Sequence, residues 1–453
     1  MKRSSVPWYL ILVLGTLALL LSACQSAAPA AAKPTSAPAS QPVSSAPQAA
    51  PTTAPSGAAS GQAVKLRFPS WQWGQPGYDE FYTAAIAEFQ KTHPNVTIEK
   101  IPVESSVYAD QLVKMFAAND PPEIVQYLTA LFYKAVDAGW LDPMDDRLQK
   151  TDIPKSWAPY LLDAGRPGGK SYGVWVSGSP YAMMYNKKMF QEANVQVPKT
   201  PDEFLAASKA LTKKGPDGNV SQFGYSLTTK MDNNAYIYGT QQFVIGMGGS
   251  WGKDGKPTAA DPLNKKGIEL ERDMIKAGVV PMGADRIQAR EIFWQGKAAM
   301  ILEGPWVMTS VRSENPKLLP DVGVTLIPFP KQVSGSSNGF AIAKNQKQKE
   351  LAWEFIQMVT SEEWMKKFGE MAGVTPARQG ALSQKALQNA PWLSAFADVE
   401  KQGVGTVTPG MEGYYNDIAK IVSNRVSDVF FGNKSSDQAL SEIQADMEKM
   451  LKQ

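Results

Sequence analysis

Between Val64 and Tyr127 the apolar residues switch back and forth between two spacings, and this alternation limits the fold more than any other feature. Val64-Lys65-Leu66-Arg67-Phe68 alternates apolar and polar and reads as a strand. After the loop Trp71–Gly77, Phe81, Ala85 and Phe89 fall four apart, which predicts a helix from Tyr78 to Lys91 with one buried stripe. Val96 to Val103 reads as a second strand, Val107 to Ala118 as a second helix, and Ile124 to Tyr127 as a third strand after Pro121-Pro122. Strand, helix, strand, helix, strand predicts an α/β layer with a largely parallel sheet. Later segments keep this style. Thr200-Pro201-Asp202-Glu203 predicts a capped helix start with Pro at the first helical position. Asp254-Gly255 predicts a hairpin turn. Lys349 to Thr360 and Leu440 to Leu451 read as amphipathic helices.

Upstream of Val64 there is nothing to fold. Of the 39 residues from 25 to 63, 31 are Ala, Pro, Ser or Thr, and Lys33 carries the only charge. With no large apolar side chain to bury, chain entropy is unopposed, so a disordered tether stiffened by seven prolines is expected. Met1-Lys2-Arg3 precedes an apolar run of 14 residues, Trp8 to Leu21. That is short for a bilayer span, which needs about 20 residues, and fits a secretory signal. The string Leu21-Ser22-Ala23-Cys24 resembles the lipobox of bacterial lipoproteins. The resemblance implies a signal over 1–23, cleavage before Cys24, a lipid on Cys24, and a body tethered outside the membrane.

Composition then removes several chemistries. The chain has 453 residues, length for about two domains. Lys+Arg number 46 against 43 Asp+Glu, a net +3 that becomes +1 without Lys2 and Arg3. No basic block supports nucleic-acid binding. One histidine, His93, and one cysteine, Cys24, cannot build a His/Cys zinc site, which needs three or four such ligands, or an internal disulfide. His93, directly before Pro94, reads as a solvated helix-end residue rather than a catalytic base. Neither a cofactor nor a metal is expected, and no catalytic residue.

Four strings, in order, resemble family 1 extracellular solute-binding proteins, the receptors of bacterial ABC importers, many of which carry sugars. They are Tyr181 to Phe190 with Pro198 to Phe204; Gly248 to Trp251 with Asp254 to Pro257; Phe293 to Met300 through Glu303-Gly304-Pro305-Trp306; and Asn338 to Ile342 leading to Ala352–Phe355 and Thr375–Arg378. The resemblance spans roughly residues 64 to 453. It implies an α/β, two-lobed periplasmic-binding-protein-like fold of type II, with hinge-linked lobes made of discontinuous segments. Lobe one would comprise 64–177 and 339–390, and lobe two 180–335 and 395–453. The crossings would lie near Ser177–Pro180, Ser336–Gly339 and the 390s. The implied partners are a sugar, the importer permease and, through the lipid, the membrane; a monomer is expected.

A sugar ring offers C–H faces to aromatic walls and hydroxyls to a few polar groups. By family position Trp306 is the first candidate wall. Trp71 and Trp73, in the loop after the first strand, lie where an α/β crevice has its rim. Tyr127, Tyr236 and Tyr415 are further candidates, with Glu303, Asn338 and Glu412 as hydroxyl partners. For each aromatic, core packing is the competing reading. Ser179 stands where maltodextrin-binding relatives carry an acidic sugar ligand, and 409–416 has no Arg or Lys, unlike relatives that take glycerol phosphate. A neutral mono- to oligosaccharide is therefore the expected ligand. Two alternatives are a secreted glycosidase recruiting two of Glu303, Glu412, Asp232 and Asp261, and a sensory or adhesive lipoprotein on the same fold.

Overall fold

The structure is a computed structural model and describes residues 62–104 and 107–452. The signal, Cys24 and the tether up to residue 61 lie outside the described residues. Val64–Ser70 and Val96–Pro102 pair in parallel, from Val64 opposite Val96 to Ser70 opposite Pro102. The helix Tyr78–Thr92 connects them and buries Phe81, Ala85 and Phe89, together with Tyr82 and Ile86. The second helix is Tyr108–Ala117 and the third strand Val125–Leu128.

The sheets are mixed, not largely parallel. Val125–Leu128 pairs antiparallel with Gln332–Ala341, a strand from far along the chain, while the Ile124 N–H reaches the Arg67 carbonyl at 3.1 Å. Local period cannot report a partner so distant in sequence. A five-stranded sheet runs in the order Val322–Thr325, Ala182–Asn186, Ala298–Glu303, Val220–Ser226, Lys213–Lys214. Only its Ala298–Glu303 and Val220–Ser226 pair is parallel.

Burial divides the molecule into separate cores. One gathers residues from 66 to 176 with 340 to 381; another gathers 181 to 333 with 411 to 447. A third cluster lies on the opposite face of the five-stranded sheet. In Ala182–Asn186 the strand period of two does the sorting. Tyr181 and Met183 enter the second core, whereas Ala182 and Met184 enter the third. The third cluster also takes Ala386, Leu393, Phe396 and Val399, so the helix Leu393–Gln402 packs beneath that sheet.

Two strands join these regions. Val174–Pro180 runs antiparallel to Gln332–Ala341, from Val174 opposite Phe340 to Pro180 opposite Ser334, with irregular register around Asn338. Gly403–Gly405 lies parallel beside Gln332–Ser334. At this junction Glu400 accepts hydrogen bonds from the Tyr160 hydroxyl and, at 3.2 Å, from Thr375. Burial, with no cationic partner among the described residues, pushes its carboxyl up to about 7.

Local chemistry accounts for several ends. Thr200 Oγ1 accepts from the Glu203 N–H at 3.2 Å, while Glu203 reaches back to the Lys199 N–H instead of closing a full capping box. Asp254 and Gly255, at φ 51° and 73°, form the two-residue turn joining Gly252–Lys253 to Lys256–Pro257. His93 does end a helix, but it is engaged there. Its ring stacks on Phe89 at 4.1 Å and Nε2 lies 2.8 Å from Glu354. Among the described residues no His/Cys/Asp/Glu group could hold a metal, and no helix is long and apolar enough to cross a membrane.

Candidate ligand-binding site

The strand Ala298–Glu303 is buried along its whole length and delivers Glu303 to the edge of the sheet. Glu303 is 3% exposed, and its carboxylate is fully engaged. It accepts from Arg290 Nε at 2.6 Å, the Gly304 N–H at 3.0 Å and the Trp306 indole N–H at 3.0 Å. The indole folds back over Gly304, where a β-carbon would lie 2.2 Å from the ring. That close approach is the reason the string carries glycine two residues before the tryptophan. Trp306 itself stays partly exposed. Its plane is therefore fixed by Glu303 and Gly304 while part of the ring faces outward.

Arg290 comes from the helix Arg286–Trp294 and is 8% exposed. Burial opposes its charge, but Glu303 and two nearby tyrosine hydroxyls hold the guanidinium protonated. Its Cζ lies 5.6 Å from the centre of the Trp306 ring and 5.2 Å from that of Tyr238. Removing either partner of such a buried pair typically costs about 3–5 kcal/mol, because a desolvated charge is left behind.

Tyr238 lies on a π-helical turn, Tyr236–Thr240. Such turns are rare and recur at functional sites because the extra residue per turn re-aims the side chains. Here Tyr236 is buried, whereas Tyr238 is partly exposed beside the two arginines. Tyr181 meets both outward rings edge-on, Tyr238 at 6.4 Å and Trp306 at 6.3 Å. Glu271 lies behind the turn, bonded to Thr240 and pressed so close to Gly239 that a β-carbon there would sit 2.7 Å from its carboxylate. Burial pushes Glu271 up to about 8.

The structure brings some expected residues together and separates others. Glu303 and Trp306 share one hydrogen bond. Tyr236 and Tyr415 meet through Gln241, whose amide lies 3.2 Å from the first hydroxyl and whose carbonyl lies 3.5 Å from the second. Tyr415 also packs in the first core, although its helix Tyr415–Phe430 otherwise belongs to the second. Ser177 donates to Asn338 at 3.0 Å, and Ser179 lies buried in the same strand pair. Glu412 caps the Gly410 N–H at 2.8 Å and faces Asp137, whose carboxyl is raised by burial and then by Glu412. Trp71 is partly buried, edge-on to Tyr108 at 4.8 Å. Trp73 is core: its indole N–H bonds the Phe68 carbonyl at 2.9 Å and its ring packs on Phe68 and Tyr82. Tyr127 is likewise interior, stacked on Phe132 at 4.4 Å.

The carboxylates considered for glycoside hydrolysis are otherwise occupied. Asp232 accepts from the Asn234 N–H at 2.7 Å, and Asp261 caps its helix through the Leu263 N–H at 2.7 Å. Glu303 is committed to Arg290.

Residues 74–366 match the family described as bacterial extracellular solute-binding protein. The chain belongs to that family. A putative binding protein of Brucella abortus is similar to this solute-binding protein, at 25% identity over 379 residues, 80% of this chain and 88% of that one. The maltotriose-binding protein of Pyrococcus abyssi is 24% identical over 369 residues, 77% of each chain. Among solved structures, the GacH receptor of Streptomyces glaucescens, crystallised unliganded and with acarbose, superposes with a TM-score of 0.74. Identity there is 18%, and the match covers 86% of this chain and 99% of that one. The fold is thus the two-lobed one of periplasmic binding proteins, built from discontinuous segments. The protein is an extracytoplasmic binding protein and not an enzyme.

Sequence reading of this solute-binding protein missed Tyr181, Tyr238, Gln241, Arg286 and Arg290. Tyr238 is two residues from Tyr236, and the π turn decides which of the two is left partly exposed. The i,i+4 spacing of Arg286 and Arg290 was the one available signal for the arginines.

Proposed function

We propose that this solute-binding protein is the sugar receptor of an ABC importer, capturing a carbohydrate of one or more rings between its lobes and handing it to the permease. One observation carries the reading: Trp306 is held half-open by Glu303 and Gly304, with Tyr238 and Tyr181 beside it. Flat apolar walls of fixed orientation beside buried polar groups suit a ring with C–H faces and a hydroxyl rim. The ligands of the relatives, maltotriose and acarbose among them, support the same class. The lobes we assign to 64–177 with 339–390 and 180–335 with 395–453. The core memberships favour moving the third passage earlier, between Ala381 and Ala386. The protein acts as a monomer.

A panel of neutral and acidic sugars, read by thermal shift and small-angle scattering, tests this. A cognate sugar at 100 times its dissociation constant should add about 2.7 kcal/mol of stability and reduce the radius of gyration as the lobes close. Failure of every sugar to raise the melting temperature would end the sugar reading. Anchoring through Cys24 is supported by Leu21-Ser22-Ala23-Cys24 behind the apolar run. Cys24→Ser should move the protein from the membrane to the soluble fraction, and retention of the processed variant on membranes would exclude a lipid at this position.

A further inference from the structure

The helix Arg286–Trp294 carries two arginines four residues apart on the face turned to Tyr238. Like charges at this spacing repel. Arg286 is also the first residue of the helix, where the positive end of the helix dipole opposes a cation. Neither placement serves the helix. Asp285, the nearest carboxylate in sequence, is committed to the backbone, accepting from the Ile287 and Gln288 N–H groups at 3.0 Å. Of the two arginines, Glu303 pairs only with Arg290. Among the described residues Arg286 has no ion pair, and it remains partly exposed with its Cζ 5.6 Å from the Tyr238 ring centre. Arg290 uses Nε on Glu303, while its buried Nη2 has no hydrogen-bond partner. Two guanidiniums thus share one aromatic ring against one carboxylate, with donors left over.

We propose that the ligand is an acidic sugar, its anionic oxygens bound by Arg286 and the Arg290 side of the Tyr238–Trp306 wall. This rests on the reading of Tyr238 and Trp306 as ligand walls and replaces the expectation of a neutral sugar. A guanidinium offers a planar fork that matches a carboxylate or a phosphate with paired hydrogen bonds. The ring face of such a sugar stacks on the indole while its acidic group lies over Tyr238, where the two cations already are. The anion also relieves the repulsion within the helix.

The test is calorimetry of the intact body with matched probes: galactose and galacturonate oligomers of equal length, glucose and glucose 6-phosphate. An acidic member should bind at least about tenfold tighter than its neutral match, an advantage that shrinks with added salt. A uronate winner identifies the group as a carboxylate; a phosphate-ester winner identifies it as phosphate. Arg286→Gln should bring the acid-to-neutral ratio toward one, and Arg286→Lys should restore only part of it, since the fork is lost. Because Arg286 is partly exposed and unpaired, these variants should fold. Equal affinity for acid and neutral partners, or an undiminished ratio in Arg286→Gln, overturns the proposal while leaving a neutral-sugar receptor intact. Binding of no sugar at all overturns the receptor reading together with it.

Discussion

Trp306→Ala should weaken sugar binding by at least ~30-fold while lowering the unliganded melting temperature only modestly. Losing a large aromatic from the centre of a contact typically costs about 2 kcal/mol or more, and each 1.4 kcal/mol is tenfold in affinity. The stability side follows from exposure. A fully buried Trp→Ala change costs about 3–5 kcal/mol, but the Trp306 ring is only partly buried, lying over Gly304 and against the margins of the second and third cores with part of its surface open. After the substitution Glu303 still accepts from Arg290 and Gly304, so the buried pair survives. Calorimetry gives the affinity and a melt without ligand gives the stability. A variant that melts far lower yet binds normally in the cold would make Trp306 a core residue.

A second large effect concerns pH. Glu271 is 1% exposed, has no cationic partner among the described residues, and keeps one carboxylate oxygen without a hydrogen bond. Its neighbours are Thr240, Gly239 and Leu227, with Tyr225 close enough to feel its charge. The folded value of about 8 stands above the ordinary glutamate value of 4.5 expected in the unfolded chain. Folding therefore holds this proton more tightly than the unfolded chain does. The contribution is complete below about pH 4.5 and is lost as pH rises toward 8, a decline of roughly 3–5 kcal/mol from this group. Glu400, pushed up to about 7, acts in the same direction over a narrower window. Denaturant unfolding at pH 5 and pH 8 should show Glu271→Gln with a much flatter pH dependence than the parent chain. Identical slopes in the two proteins would mean that Glu271 ionises freely in the folded state.

What could be read from sequence, and what could not, divides by range. The helix Tyr78–Thr92 was legible because its stripe of Phe81, Ala85 and Phe89 is local. The antiparallel seat of Val125–Leu128 was not, since its partner strand begins at Gln332. Glu303 and Trp306 could be found together because they lie in one contiguous string that fixes its own geometry. Tyr238 could not be separated from Tyr236, because a π turn shifts which residue faces outward and the ordinary helical period hides the shift. Trp73, in the loop after the first strand, and Tyr127, at a strand end, are candidates by position along the chain alone. Position along a strand does not reveal depth in the layer, and both rings are nearly or fully enclosed by other aromatics. The arginines of the helix Arg286–Trp294 have a spacing common on solvated helix faces, and nothing local in the sequence shows that Tyr238 lies beside them.

The shared carboxylate under Trp306 also bears on how this receptor could change its tastes. Glu303 grips the arginine, the backbone and the indole at once, so the plane of the Trp306 ring is settled during folding, and in the proposed reading no ligand would reset it. A rigid wall sorts ligands by fit and gives little room for compromise, unlike a methionine-rich surface that repacks around each arrival. Substitutions on the rim, at Arg286 among others, would then tune strength and charge preference against the same wall. Re-aiming the wall itself for a ligand of different shape would have to start underneath, at residues 290 and 303. The two would have to change together, because either alone strands a buried partner.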